Sequence, residues 1–124
     1  MATLGYATVG SNDLDRAKAF YTPLLGAFGI TPLFPHPTGG QIYGRDGAFV
    51  FGVIGAYDKQ PATVGNGTMI SFRCDSTAEV DAFHAKALEL GGKDEGAPGF
   101  RAPKFYMSYF RDLDGNKMCA YHAG

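Results

Sequence analysis

The sequence has no tryptophan and only two cysteines, Cys74 and Cys119. Two thiols are too few for a disulfide scaffold, and these are not spaced as a metal clip. A soluble, reduced, cytoplasmic protein is therefore the expectation. A basic excess is also missing: eleven Lys and Arg against twelve Asp and Glu leave a net charge of −1. That balance lacks the electrostatic footprint of a nucleic-acid binder. No apolar run approaches the roughly 20 residues that cross a bilayer. The start, Met1-Ala2-Thr3-Leu4-Gly5, lacks the basic-then-apolar order of a signal peptide. Neither a nucleic acid nor a membrane is expected as a partner.

Glycine and aromatic residues are plentiful instead. Eighteen of 124 residues are Gly, about twice the usual share of roughly 7%, beside ten Phe and seven Tyr. A chain of this length buries roughly two-thirds of its unfolded surface, enough for one core. Frequent Gly between aromatic runs points to short strands joined by tight turns.

Two helices stand out. Asn12 and Asp13 offer caps to a helix whose apolar positions are Leu14, Ala17, Phe20, Tyr21 and Leu24, with Pro23 expected to kink or fray its last turn and Gly26 and Gly29 to close it. Ser76 with Glu79 fits a capping box before the stripe Val80, Phe83, Ala87 and Leu90, which Gly91 and Gly92 stop. The remainder reads as strands: 6–10 and 68–74 before the helices, and two hairpins turning at Asp46-Gly47 and at Asp114-Gly115. The order strand, helix, hairpin thus occurs twice. A shift of 63 places Ala19-Phe20 on Ala82-Phe83, and a shift of 68 places Asp46-Gly47 on Asp114-Gly115. The five extra residues are expected in a loop over 96–103. Module one spans about 3–57, a linker about 58–67 and module two about 68–122, within one domain.

Thr8-Val9-Gly10-Ser11-Asn12-Asp13-Leu14-Asp15-Arg16-Ala17-Lys18-Ala19-Phe20-Tyr21 and Arg111-Asp112-Leu113-Asp114-Gly115-Asn116-Lys117, together with Gly65 to Thr68 and Val80 to His84, resemble the glyoxalase / bleomycin-resistance / extradiol-dioxygenase group, the vicinal-oxygen-chelate superfamily. The resemblance spans nearly the whole chain. It implies an α+β fold of two βαβββ modules, their strands forming a curved, cup-shaped mixed sheet with helices outside. It also implies a ligand inside the cup, often together with a divalent metal, and a homodimer.

Metal-using members place His, Glu or Gln at four cup-facing positions. Counting from the caps and turns, those positions carry Tyr6, Met69, a residue near Phe51, and Cys119. A hard or borderline divalent ion would not select that set. Nor is any carboxylate expected inside a strand, and His36, His84 and His122 are read as lying in a loop, on a solvent-facing helix side and at the chain end. No metal and no other cofactor is therefore expected. The ligand is instead expected to be a small organic molecule bound by Tyr6, Thr8, Phe51, Met69, Ser71, Arg73, Tyr109, Cys119 and Tyr121, an apolar and aromatic wall with a few orienting polar groups. Two other readings stay open: a lyase- or isomerase-like enzyme using Cys119 or a Tyr as its acid/base group or a non-standard metal site, and a plugged pseudo-enzyme acting as a dimeric interaction module.

Overall fold

The computed structural model describes residues 1–124 and divides them into two compact units, Met1–Val64 and Gly65–Gly124. Each is a βαβββ module, so the chain is α+β and built from two similar halves. No helix is long and apolar enough to cross a membrane.

The first unit runs β1 (Ala7–Gly10), α1 (Leu14–Gly26), β2 (Thr31–Pro35), β3 (Gln41–Arg45) and β4 (Ala48–Ile54). Its sheet has the order β1-β4-β3-β2, with β1 parallel to β4 and the others antiparallel. Asp13 caps α1 by accepting from the Arg16 N–H at 3.1 Å. Ala17, Phe20, Tyr21, Leu24 and Leu25 form its buried stripe. That stripe packs on one sheet face, where Tyr21 meets Phe51 with ring centroids 4.9 Å apart and Phe51 stacks on Tyr43. Fully burying each such ring contributes roughly 1.5–3 kcal/mol. Asp46 (φ 53°) and Gly47 (φ 78°) make the two-residue β3–β4 turn, the positive pair that matches strand twist.

The second unit runs β5 (Ile70–Arg73), α2 (Thr77–Glu89), β6 (Lys93–Ala102), β7 (Phe105–Arg111) and β8 (Lys117–Ala123), in the sheet order β5-β8-β7-β6. Ser76 Oγ accepts from the Glu79 N–H at 3.1 Å, while Glu79 Oε1 reaches back to the Asp75 N–H at 3.0 Å. Val80, Phe83, His84 and Ala87 are the buried side of α2. Asp112 organises the β7–β8 turn by accepting from the Asp114 and Asn116 N–H groups and the Asn116 amide.

Several expectations change. Residues 96–103 are no loop, since most of them belong to β6, paired with β7 through three register shifts. The longer β6 and β7, offset in part by a shorter connection between them than between β2 and β3, together place the extra residues of the second module. Asp94 and Glu95 consequently do lie in a strand. His84 is not on the solvent side: it is 4% exposed and bonded to Asp94. His122 belongs to β8, with Nδ1 2.9 Å from the Cys74 carbonyl. Pro23 leaves α1 intact to Gly26; the left-handed residues are Gly29 (φ 84°) and Gly91 (φ 107°), not Gly26 or Gly92.

Candidate functional site

Strand parity gives each sheet a face turned away from its helix. In the first unit Val9 is buried whereas Thr8 is exposed. The ladder sets Thr8 beside Gly52 and Gly52 beside Ile42, so these three share the open face. A Cβ on Gly52 would stand 2.6 Å from Ile42 Cδ1 and 3.3 Å from Thr8 Cγ2, which lets Ile42 lie flat across the strand.

On this face lies a cavity of ≈ 680 Å³ lined by Tyr6, Thr8, Phe34, His36, Ile42, Phe49 and Ile54. Phe49 is its hub, edge-on to Tyr6 at 5.7 Å and to Phe34 at 5.2 Å between centroids. These three rings keep 51% (Tyr6), 41% (Phe34) and 46% (Phe49) of their surface exposed. They are therefore a wall rather than core. A second cavity of ≈ 720 Å³, of mixed lining, lies at the strand ends; Asn12, Pro37, Thr38, Ala56, Tyr57 and Lys59 contribute, and His36 lines both.

Of the residues expected to bind a ligand in this unit, Tyr6 and Thr8 line the first cavity. Phe51 does not. It is fully buried against Tyr21, on the helix side. The cause is an irregularity in the β3–β4 ladder, where Gly44 pairs with Phe49 but Tyr43 with Phe51, so counting by twos from the turn gives the wrong face. Phe34, His36, Ile42, Phe49 and Ile54 were not expected there. Phe49 had one usable signal, its place just beyond the Asp46-Gly47 turn.

The second unit presents its expected residues as two rows across the ladder. Ser71 pairs with Cys119 and Cys119 with Tyr109; Arg73 pairs with Tyr121 and Tyr121 with Met107. Ser71 and Arg73 are exposed, Tyr109 and Tyr121 half-buried, and Met69, just before β5, is 39% exposed. Tyr109 lies between two cations, Arg101 at 5.5 Å and Lys117 at 5.4 Å from its ring centre. Arg101 also donates to the Gly99 and Ala97 carbonyls at 2.9 and 2.7 Å, tying down the irregular part of β6.

Cys119 is wholly buried. Burial pushes its thiol above the ordinary cysteine range, and the Ser71 hydroxyl opposes that shift by hydrogen bonding. Cys74 is pushed up to about 11, mainly by burial and then by the Glu79 and Asp75 carboxylates. Neither thiol has the electropositive, accessible setting of a nucleophile. Tyr43 is likewise raised by burial while its hydroxyl bonds Thr22 at 2.9 Å, and Tyr106 is raised chiefly by its bond to Asp81.

A divalent metal was tested against the donors present. No group of three or more His, Cys, Asp or Glu side chains comes together anywhere. Tyr6, Met69 and Cys119 supply a phenol, a thioether and a buried thiol, and Phe51 supplies nothing. The residues present do not fit such an ion.

A family model described as Glyoxalase/Bleomycin resistance protein/Dioxygenase superfamily matches residues 3–120. Among solved structures, a glyoxalase/bleomycin resistance protein from Albidiferax ferrireducens T118 is 41% identical, with TM-score 0.88 over 98% of each chain. A glyoxalase/bleomycin resistance protein/dioxygenase family enzyme from Burkholderia phytofirmans PsJN is similar in fold, at 18% identity and TM-score 0.76 over 99% of this chain and 100% of that one. So is a lactoylglutathione lyase from Agrobacterium tumefaciens, at 21% identity and TM-score 0.71 over 98% and 93%. A comparison with the curated proteins finds no match.

Proposed function

The chain belongs to the Glyoxalase/Bleomycin resistance protein/Dioxygenase superfamily, and we propose that within it this protein binds a small organic molecule without using a metal. The observation that carries the reading is the Tyr6–Phe49–Phe34 wall, three solvent-exposed rings held edge to face around a ≈ 680 Å³ cavity. Exposed aromatic rings in a concave setting are a ready source of binding energy, because an entering ring removes apolar surface on both sides from water. Thr8 and His36 add the polar contacts that orient a ligand.

A metal-free mode is supported by the donor chemistry, which offers no His and carboxylate set. A thiol-based lyase or isomerase is disfavoured, because burial keeps Cys119 protonated. The exposed rings also suit a homodimer, since aromatic side chains are enriched where copies meet. A cytoplasmic protein remains our reading of its two unpaired thiols.

Binding is tested by titrating the neutral dye N-phenyl-1-naphthylamine and following its fluorescence. Saturable binding to the wild type, weakened about tenfold or more in Phe49→Ala, is expected. No saturable binding, or an unchanged affinity in Phe49→Ala, defeats the reading. Stoichiometric transition metal in protein purified without chelator defeats the metal-free part separately.

A further inference from the structure

His36 is the one residue common to both cavities of the first unit. Its ring is held from one side. The Thr38 backbone N–H points at His36 Nδ1 from 3.3 Å, and Thr38 Oγ1 lies 2.9 Å from the same nitrogen. Thr38 Oγ1 in turn accepts from the Gly55 N–H at 2.9 Å. Nδ1 thus receives a backbone donor and must present its lone pair, so the neutral ring carries its hydrogen on Nε2. Nε2–H is on the ring edge that Thr38 does not occupy. The result is a directional donor, wanting an oxygen acceptor, on a residue that lines both cavities.

The two linings differ in charge. The aromatic cavity contains no charged residue. The second contains Lys59 and no carboxylate. Lys59 sits in a tight turn with φ 62° and its N–H on the Ala56 carbonyl. The other cations of this unit are engaged: Arg16 with Asp13, Lys18 with Asp15, and Arg45 with the Phe28 and Gly29 carbonyls. Asp58, next to Lys59 in the chain, accepts from the Gln60 N–H at 3.0 Å and lies outside the lining. Asn12 is spent on Ala62, giving and receiving one bond.

We propose that the two cavities act as one bipartite site for a small aromatic anion, with its ring on Tyr6, Phe34 and Phe49, an oxygen on His36 Nε2–H, and its negative charge beside Lys59. This rests on the reading that the aromatic cavity binds small organic molecules, and adds the class of molecule. His36 discriminates by what it lacks: with Nδ1 committed to Thr38, it offers a donor and no acceptor, so a ligand ammonium, which has hydrogens and no lone pair, gains nothing there. Lys59 selects for charge and the rings for shape.

The matched probes are 1-anilinonaphthalene-8-sulfonate and N-phenyl-1-naphthylamine, which share a ring system and differ by the sulfonate. At low salt the anionic dye is expected to bind the wild type about tenfold more tightly than the neutral one. Lys59→Glu is expected to erase that preference. His36→Phe is expected to weaken the anionic dye severalfold and so narrow its advantage over the neutral one. Both positions are at least partly exposed, and circular dichroism checks that the variants fold. Equal affinity of the wild type for the two dyes overturns the proposal, as does a preference that survives both substitutions. In those cases retained, Phe49-dependent binding of the neutral dye leaves the broader reading standing. Binding of neither dye defeats both.

Discussion

His84 Nε2 lies 3.1 Å from Asp94 Oδ1, and the same imidazole keeps its Nδ1 buried with no hydrogen-bond partner at all. One aspartate on β6 therefore supplies the only polar satisfaction of a histidine sunk into the packing of α2, edge-on to Phe110. Asp94 also accepts from the Gly96 N–H at 3.0 Å, across the first irregularity of β6. Asp94→Ala is expected to cost about 1–3 kcal/mol, because it strips both donors of their acceptor. Asp94→Asn retains a carbonyl oxygen and is expected to cost less. Urea midpoints measure both, and a wild-type midpoint in Asp94→Ala contradicts the account.

Phe49 and Phe51 are two residues apart and face opposite ways. Phe51→Ala empties a fully buried position between Tyr21 and Tyr43 and is expected to cost about 3–5 kcal/mol. Phe49→Ala removes a half-exposed wall and is expected to cost under about 1 kcal/mol while removing dye binding. Comparable thermal destabilisation in the two variants is the result this assignment does not allow.

The thiols give a pH dependence with a definite sign. Cys74 titrates near about 11 in the native state and near roughly 8.5 when unfolded. The native chain thus holds a proton that the unfolded chain releases. The associated stability is fully present below about pH 8.5 and is lost as pH rises through 11, by on the order of 3 kcal/mol. Urea unfolding at about pH 8 and pH 10.5 is expected to show a steeper loss in the wild type than in Cys74→Ala. At neutral pH both thiols are expected to react with Ellman's reagent only slowly without denaturant, with no fast phase that disappears in Cys119→Ser.

Glycines separate into required and replaceable. A Cβ on Gly40 would stand 2.0 Å from the Val53 carbonyl oxygen, a backbone atom with no freedom to move aside. Gly40→Ala is expected to destabilise by several kcal/mol, beyond the roughly 1 kcal/mol typical of point substitutions. Gly26 ends α1 with open space around its Cβ direction and without a left-handed φ. Gly26→Ala is expected to raise stability by about 0.4–1 kcal/mol through helix propensity and unfolded-chain entropy. Thermal melts of the pair distinguish these outcomes.

Both helices, both caps and most of their buried stripes were legible because a 3.6-residue period is a strong signal over thirteen residues. The exception was His84, whose polarity suggests solvent although it lies next to Phe83 on the packed side. Strands were legible where a two-residue turn anchored them, as at Asp46-Gly47. β2 and β6 were not: Pro32 and Pro35 mask one, and Gly96, Pro98 and Gly99 mask the other. The site was half legible for a related reason. Tyr6 and Thr8 follow from simple alternation on β1, but one ladder irregularity inverts Phe51. His36 enters through a turn whose hydrogen bonds alternation does not describe.

Those two poorly legible strands each occupy one edge of their sheet, β2 beside β3 and β6 beside β7, with β1 and β5 at the opposite edges. An outer edge normally offers a run of free N–H and C=O groups on which another chain can crystallise its own strand. Here the two prolines of β2 remove donors, and three register breaks keep β6 from presenting an even row. The feature that hid these segments from pattern reading is also a guard against runaway strand addition. Exposed rings such as Phe34, which β2 itself carries, can thus stand beside a sheet edge that is a poor template for another strand.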